Sequence, residues 1–174
     1  CDIDSELWAS VSPDNKTIAY QSVKNLSQGD KLFGGRVLSR TLGSESQPLE
    51  IANNGGLPIW SPDGKMIAFM RETENKRQIE TVSVNGGQKH VAASDVMFIS
   101  NTLLPYNRIQ TNDFSWSPDS QKLAYLSQKS GQDNIWLVNA NGSNDTQLTD
   151  NQDKNLYLNC PLWSPDGKRI AYTT

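Results

Sequence analysis

Four aspartates share one repeated context, and carboxylates brought together in pairs can do general acid–base work. Asp14, Asp63, Asp119 and Asp166 each follow Ser-Pro. That context argues for architecture instead. The four stand at equivalent points of separate repeats, which should keep them well apart, and an Asp after Pro bonds its own backbone two residues on. They are read as structural turn residues. The single histidine, His90, lies beside Lys89 in a strand-like segment and reads as a surface residue rather than a general base. Neither a G-x-S-x-G nucleophile elbow nor an H-E-x-x-H zinc motif occurs. Cys1 and Cys160 are too few for a disulfide framework, although one bond between them is open, and with a single His they cannot build a zinc site. The oxygen-rich stretches 2–6 and 139–145 lack the full calcium-loop pattern. The expectation is a non-enzyme with no cofactor and no metal.

The same aspartates mark an internal repeat. Val11-Ser12-Pro13-Asp14-Asn15-Lys16-Thr17-Ile18-Ala19-Tyr20 aligns with Trp60-Ser61-Pro62-Asp63-Gly64-Lys65-Met66-Ile67-Ala68-Phe69. It aligns again with Trp116-Ser117-Pro118-Asp119-Ser120-Gln121-Lys122-Leu123-Ala124-Tyr125 and with Trp163-Ser164-Pro165-Asp166-Gly167-Lys168-Arg169-Ile170-Ala171-Tyr172. The serines fall at 12, 61, 117 and 164, spacings of 49, 56 and 47 residues. Pro presets φ at the first corner of a turn, and Gly64 and Gly167 take the corner that needs positive φ. Asn15 is the next best occupant there. Ser120 is a poorer one, and Gln121 reads as an added residue, so a wider third turn is expected. A large apolar residue precedes each turn, and Ile or Leu, Ala and an aromatic follow it. That is strand, tight turn, strand.

Two further strand-like segments follow each hairpin: 36–42 and 48–52, then 78–84 and 89–92 around Asn85-Gly86-Gly87, then 134–138 and 146–149 around Asn139-Ala140-Asn141-Gly142. Four antiparallel strands per repeat make one propeller blade. The expected fold is all-β, a β-propeller segment of about three and a half four-stranded antiparallel blades. It forms one domain over 1–174, with blades at about 5–54, 55–111 and 112–156 and a partial blade at 157–174. The best chance of a helical turn is 95–101. The composition agrees with short strands that each have a wet face: 36% hydrophobic, 20% charged, with 12 Gly and 8 Pro among 174 residues. A net charge of −3 argues against nucleic acid as a partner. No apolar run reaches the roughly 18 residues of a membrane span. Cys1 reads as an ordinary residue or, alternatively, as the lipid-bearing first residue of a processed bacterial lipoprotein.

WSPDGKMIAF, WSPDSQKLAY and WSPDGKRIAY resemble the WD-like SPDG repeat of the TolB-like β-propeller family, as does the tail NIWLVNANGSNDTQLT. The resemblance covers nearly the whole chain. It implies a periplasmic or otherwise extracytoplasmic location and a protein or peptide partner. Rings of this type close with more blades than the chain supplies, so further blades or another chain are expected to complete it.

Strand alternation within a blade sorts the connections. The SPD, NGG and NANG turns are short and fall on one face. The long insertions 24–35 and 93–112, and a modest one at 150–156, fall on the other. Long loops in compact domains are usually functional or disordered. The second insertion is too apolar to be left fully solvated. Either it covers the blade edge or central tunnel, or it presents Phe98, Leu104, Tyr106 and Arg108 to a partner, side-chain types that anchor interfaces. The leading expectation is a non-catalytic protein- or peptide-binding module. The alternatives are the substrate-gating propeller of a prolyl-oligopeptidase-like peptidase and the ligand-sensing propeller of a membrane kinase or transcription regulator.

Overall fold

A computed structural model describes residues 4–24, 34–73, 76–97 and 113–174. The described residues form strands and turns without a helix. The chain divides into two compact units, residues 1–91 and 92–174.

In the first unit the strands are β1 (Asp4–Val11), β2 (Thr17–Lys24), β3 (Gly35–Thr41), β4 (Leu49–Trp60), β5 (Met66–Glu72) and β6 (Arg77–Ser83), paired in sequence order and antiparallel. β7 (His90–Ser94) is next in that order and runs across the division between the units. β4 serves two neighbours along its length. Leu49, Glu50 and Ala52 pair with β3, whereas Gly56, Ile59 and Trp60 pair with β5. The last strand of the first repeat therefore continues without a break into the first strand of the second. Gly55 lies at the handover, where a Cβ would sit 2.6 Å from the Phe69 ring.

Burial of consecutive residues shows that the middle strands are covered on both faces. Ile67, Ala68, Phe69 and Met70 in β5 are all fully buried. One core cluster joins Ala19, Val37, Ile51 and Ala52 of the first repeat to Ile67, Phe69 and Val82 of the second, with Trp60 and Val84 packed against it. Trp60 also donates its indole N–H to the Ser10 carbonyl at 3.1 Å. Trp60, the aromatic residue before the second turn, is thus bonded into the first repeat.

In the second unit β8 (Phe114–Trp116), β9 (Lys122–Ser127), β10 (Asn134–Asn139) and β11 (Thr146–Gln147) form one antiparallel sheet, and β12 (Asn159–Trp163) pairs with β13 (Ile170–Thr173). Leu126, Ile135 and Leu158 form its buried cluster with Met97 against them. The helical turn considered for 95–101 does not form in its described part. Val96 instead bridges Ser127 as an isolated β partner, and Asp95 has φ +58.

A feature of the first strands escaped the sequence reading. β1, β4 and β12 each slip register just before their turn, between Leu7 and Ser10, Gly56 and Ile59, and Asn159 and Leu162. The slips hold Trp8, Leu57 and Cys160 at φ +42, +51 and +52. These are β-bulges with a non-glycine residue in left-handed backbone, all at the same repeat position.

Candidate functional site

The four Ser-Pro-Asp turns are built alike, and their geometry determines what the aspartates can do. In the first, the Ser12 hydroxyl donates to Asp14 Oδ1 at 2.6 Å and accepts the Thr17 N–H at 2.9 Å. Asp14 Oδ1 also accepts the Lys16 N–H at 3.1 Å. Ser61 and Asp63 make the same bonds with Met66 and Lys65 at 2.7, 2.9 and 3.1 Å. Ser117 and Asp119 make them with Lys122 and Gln121 at 2.5, 2.9 and 3.1 Å. Ser164 and Asp166 make them with Arg169 and Lys168 at 2.6, 2.9 and 3.1 Å. In every turn the serine carbonyl accepts the N–H of the residue three positions on.

The third turn corrects an expectation. It is no wider than the others, because Gln121 occupies the place of Lys16, Lys65 and Lys168 and adds nothing. Ser120 takes φ +61, beside +59 for Asn15, +70 for Gly64 and +68 for Gly167. The strain of a non-glycine residue there is offset by the surrounding bonds. The turns are also nearer one another than their separate repeats suggested. A Cβ on Gly64 would lie 3.6 Å from the Pro13 ring, and one on Gly167 would lie 3.8 Å from the Pro118 ring. Within each unit the two turns therefore touch, proline against corner.

Each carboxylate is committed to its own turn. The serine hydroxyl, and then the backbone N–H two residues on, hold the Asp14, Asp119 and Asp166 carboxyls below their ordinary range. Such groups stabilise the fold at pH values above their unfolded pKa of about 4 and lose that contribution as pH falls through the depressed folded value. The urea midpoint of unfolding is therefore expected to drop on acidification below about pH 4. The triple variant Asp14→Asn, Asp119→Asn, Asp166→Asn, which keeps the acceptor oxygens, should flatten that drop. Denaturation curves from pH 2 to pH 7 check both statements.

The residues proposed to meet a partner, Phe98, Leu104, Tyr106 and Arg108, lie outside the described residues. The strands around them are described. β8 enters at the edge opposite its own SPD turn, and the 128–133 and 148–158 connections leave from that same edge. His90 begins β7 and is partly exposed. Cys160 carries a free thiol, which partial burial and then the Asp113 carboxylate push toward the protonated, unreactive form. No group of three metal-ligating side chains occurs among the described residues.

One cluster in the second unit was not anticipated. Tyr125 in β9 stands directly opposite Trp136 in β10. The Tyr125 hydroxyl donates to Asp145 Oδ1 at 2.7 Å and accepts from Lys129 Nζ at 2.6 Å, while Lys129 Nζ forms an ion pair with Asp145 Oδ2. Burial, followed by the Asp145 hydrogen bond and charge, pushes the Tyr125 phenol far above its ordinary value, so it acts as a neutral O–H. The sequence barely announces the cluster, since its members come together through the register of β9 on β10 and of β10 on β11.

An all-β fold of antiparallel four-strand repeats, each opened by a self-bonded Ser-Pro-Asp turn, is that of a partial β-propeller, and comparison with solved structures agrees. TolB from Acinetobacter baumannii superposes with a TM-score of 0.65 and 22% identity, over 97% of this chain and 37% of that one. The β-propeller domain of the Trilobed protease from Pyrococcus furiosus gives 0.58 and 17%, over 86% of this chain and 43% of that one. In sequence, the uncharacterized peptidase YuxL of Bacillus subtilis is 25% identical over 117 residues, 67% of this chain and 16% of that protein. No protein-family model matches the chain. The fold is a TolB-like β-propeller fold, and the chain spans less than half the length of each of these three proteins.

Proposed function

We propose that the chain is a non-catalytic protein- or peptide-binding propeller module of the bacterial cell envelope, working outside the cytoplasm. The four-strand groups are its blades, at about 5–54, 55–111 and 112–156 with a partial blade at 157–174, and Asp14, Asp63, Asp119 and Asp166 are their turn formers. One observation carries the reading: every repeated carboxylate accepts its own serine hydroxyl and backbone N–H. The conspicuous acids are spent on architecture, so recognition falls to the opposite edge, where the long insertions leave. Phe98, Leu104, Tyr106 and Arg108 supply the aromatic, aliphatic and cationic anchors there.

The test is a peptide selected from a displayed library, measured against wild type and against the variant in which these four residues are alanine. Affinity should fall at least tenfold while the circular dichroism spectrum and urea midpoint stay unchanged. An unchanged Kd rejects the loop edge as the binding surface. A second reading, the substrate-gating propeller of a peptidase, is favoured by the likeness to YuxL and to the Trilobed protease propeller. A serine-hydrolase segment in the same reading frame would support it.

A further inference from the structure

The Tyr125 cluster already holds a cation, and that cation is supplied by the chain itself. Lys129 Nζ lies 3.7 Å from the centroid of the Trp136 ring and 5.2 Å from that of Tyr125. It donates to the Tyr125 hydroxyl and pairs with the Asp145 carboxylate. One large aromatic face, a second aromatic edge, a hydroxyl acceptor and a carboxylate around one ammonium are the chemistry of amine recognition.

Two observations separate this arrangement from an ordinary structural ion pair. A partly exposed salt bridge contributes little and needs no aromatic wall, yet Trp136 stands against this one at close cation–π distance. The Trp136 indole nitrogen is buried and finds no acceptor, so no polar bond of its own explains its position. Tyr125 is fully buried, but the ammonium and its carboxylate are open to exchange. The Lys129 side chain is 22% exposed and the Asp145 side chain 34%, and Lys129 belongs to the 128–133 turn rather than to a strand.

We propose that Tyr125, Trp136 and Asp145 form a recognition site for a primary ammonium, either a lysine side chain or the free amino terminus of a peptide, with Lys129 as a displaceable internal occupant. The proposal rests on this cluster alone and stands or falls separately from the loop edge. A tethered occupant competes as though present at millimolar concentration, so removing it should raise the affinity for an outside amine by an order of magnitude or more.

The experiment titrates wild type, Lys129→Ala and Lys129→Met with n-butylammonium and N-acetyl-lysine methylamide, with N-acetyl-norleucine methylamide as the uncharged control. The readout is the Trp136 indole 1H–15N resonance. Both variants should bind the amines at least tenfold more tightly than wild type and leave the norleucine compound unbound. Adding Trp136→Leu to Lys129→Met should abolish the effect. In wild type, a high concentration of the same amines should shift the Lys129 side-chain resonance, a reading that needs no variant to fold. Equal amine affinity in wild type and variants, equal response to norleucine, or an unmoved Lys129 signal in wild type would each overturn the proposal.

Discussion

Phe69→Ala is expected to lower the stability of the first unit by about 3–5 kcal/mol, the range for truncating a buried aromatic side chain. Phe69 lies in the middle of β5, is fully buried, and belongs to the cluster that joins the first repeat to the second. Its loss opens a cavity bordered on one side by Ala19, Val37, Ile51 and Ala52 and on the other by its own sheet. Those neighbours sit on strands held by pairing on the sheet, so collapse into the void is limited. Urea denaturation followed by tryptophan fluorescence measures the effect, because Trp60 packs on the same cluster. A loss under about 1 kcal/mol would mean that the two repeats do not share a core.

Gly55→Ala is the second large effect, at about 1–3 kcal/mol, the cost of an added methyl in a packed core. The new Cβ would stand 2.6 Å from Phe69 Cδ2 and 3.1 Å from the Met70 carbonyl oxygen. The ring is fully buried and the carbonyl is backbone, so β4 itself must shift where it passes from β3 to β5. The same geometry forecasts coupling. In the double variant Gly55→Ala, Phe69→Leu the smaller side chain gives the methyl room, and the combined loss should fall short of the sum of the two single losses. Strict additivity would contradict the contact.

These two residues also show where sequence reading stops. The hairpins were legible because their information is local. Ser, Pro and Asp within three positions specify the turn, and the apolar residues on either side specify the strands. The outer strands were legible for the same reason: β10 covers the expected 134–138 and extends it by one residue. β11 is shorter than the expected 146–149, because Leu148 and Thr149 both turn their N–H groups to the single carbonyl of Ile135 rather than extending the ladder. The continuity of β4 was not legible, since Gly55 and Gly56 look like a break and only the Phe69 ring shows why glycine is needed. Ser120 looked like a misfit because intrinsic preference was weighed without the bonds that hold its turn. The bulges at Trp8, Leu57 and Cys160 are set by strand register, which no single residue type announces. The Tyr125 cluster spans residues 125–145 and requires two strand pairings before its members meet. Its one clue, a lysine four residues after an aromatic, is too common to be read alone.

The central claim is that four equivalent turns satisfy their own polar groups. Amide hydrogen exchange at Thr17, Met66, Lys122 and Arg169 tests it most directly, because each of these N–H groups is bonded to the serine hydroxyl five residues before it. All four amides should be protected, and serine-to-alanine substitution in any one turn should release the amide of that turn. Free exchange at any of the four in the wild-type chain would contradict the claim.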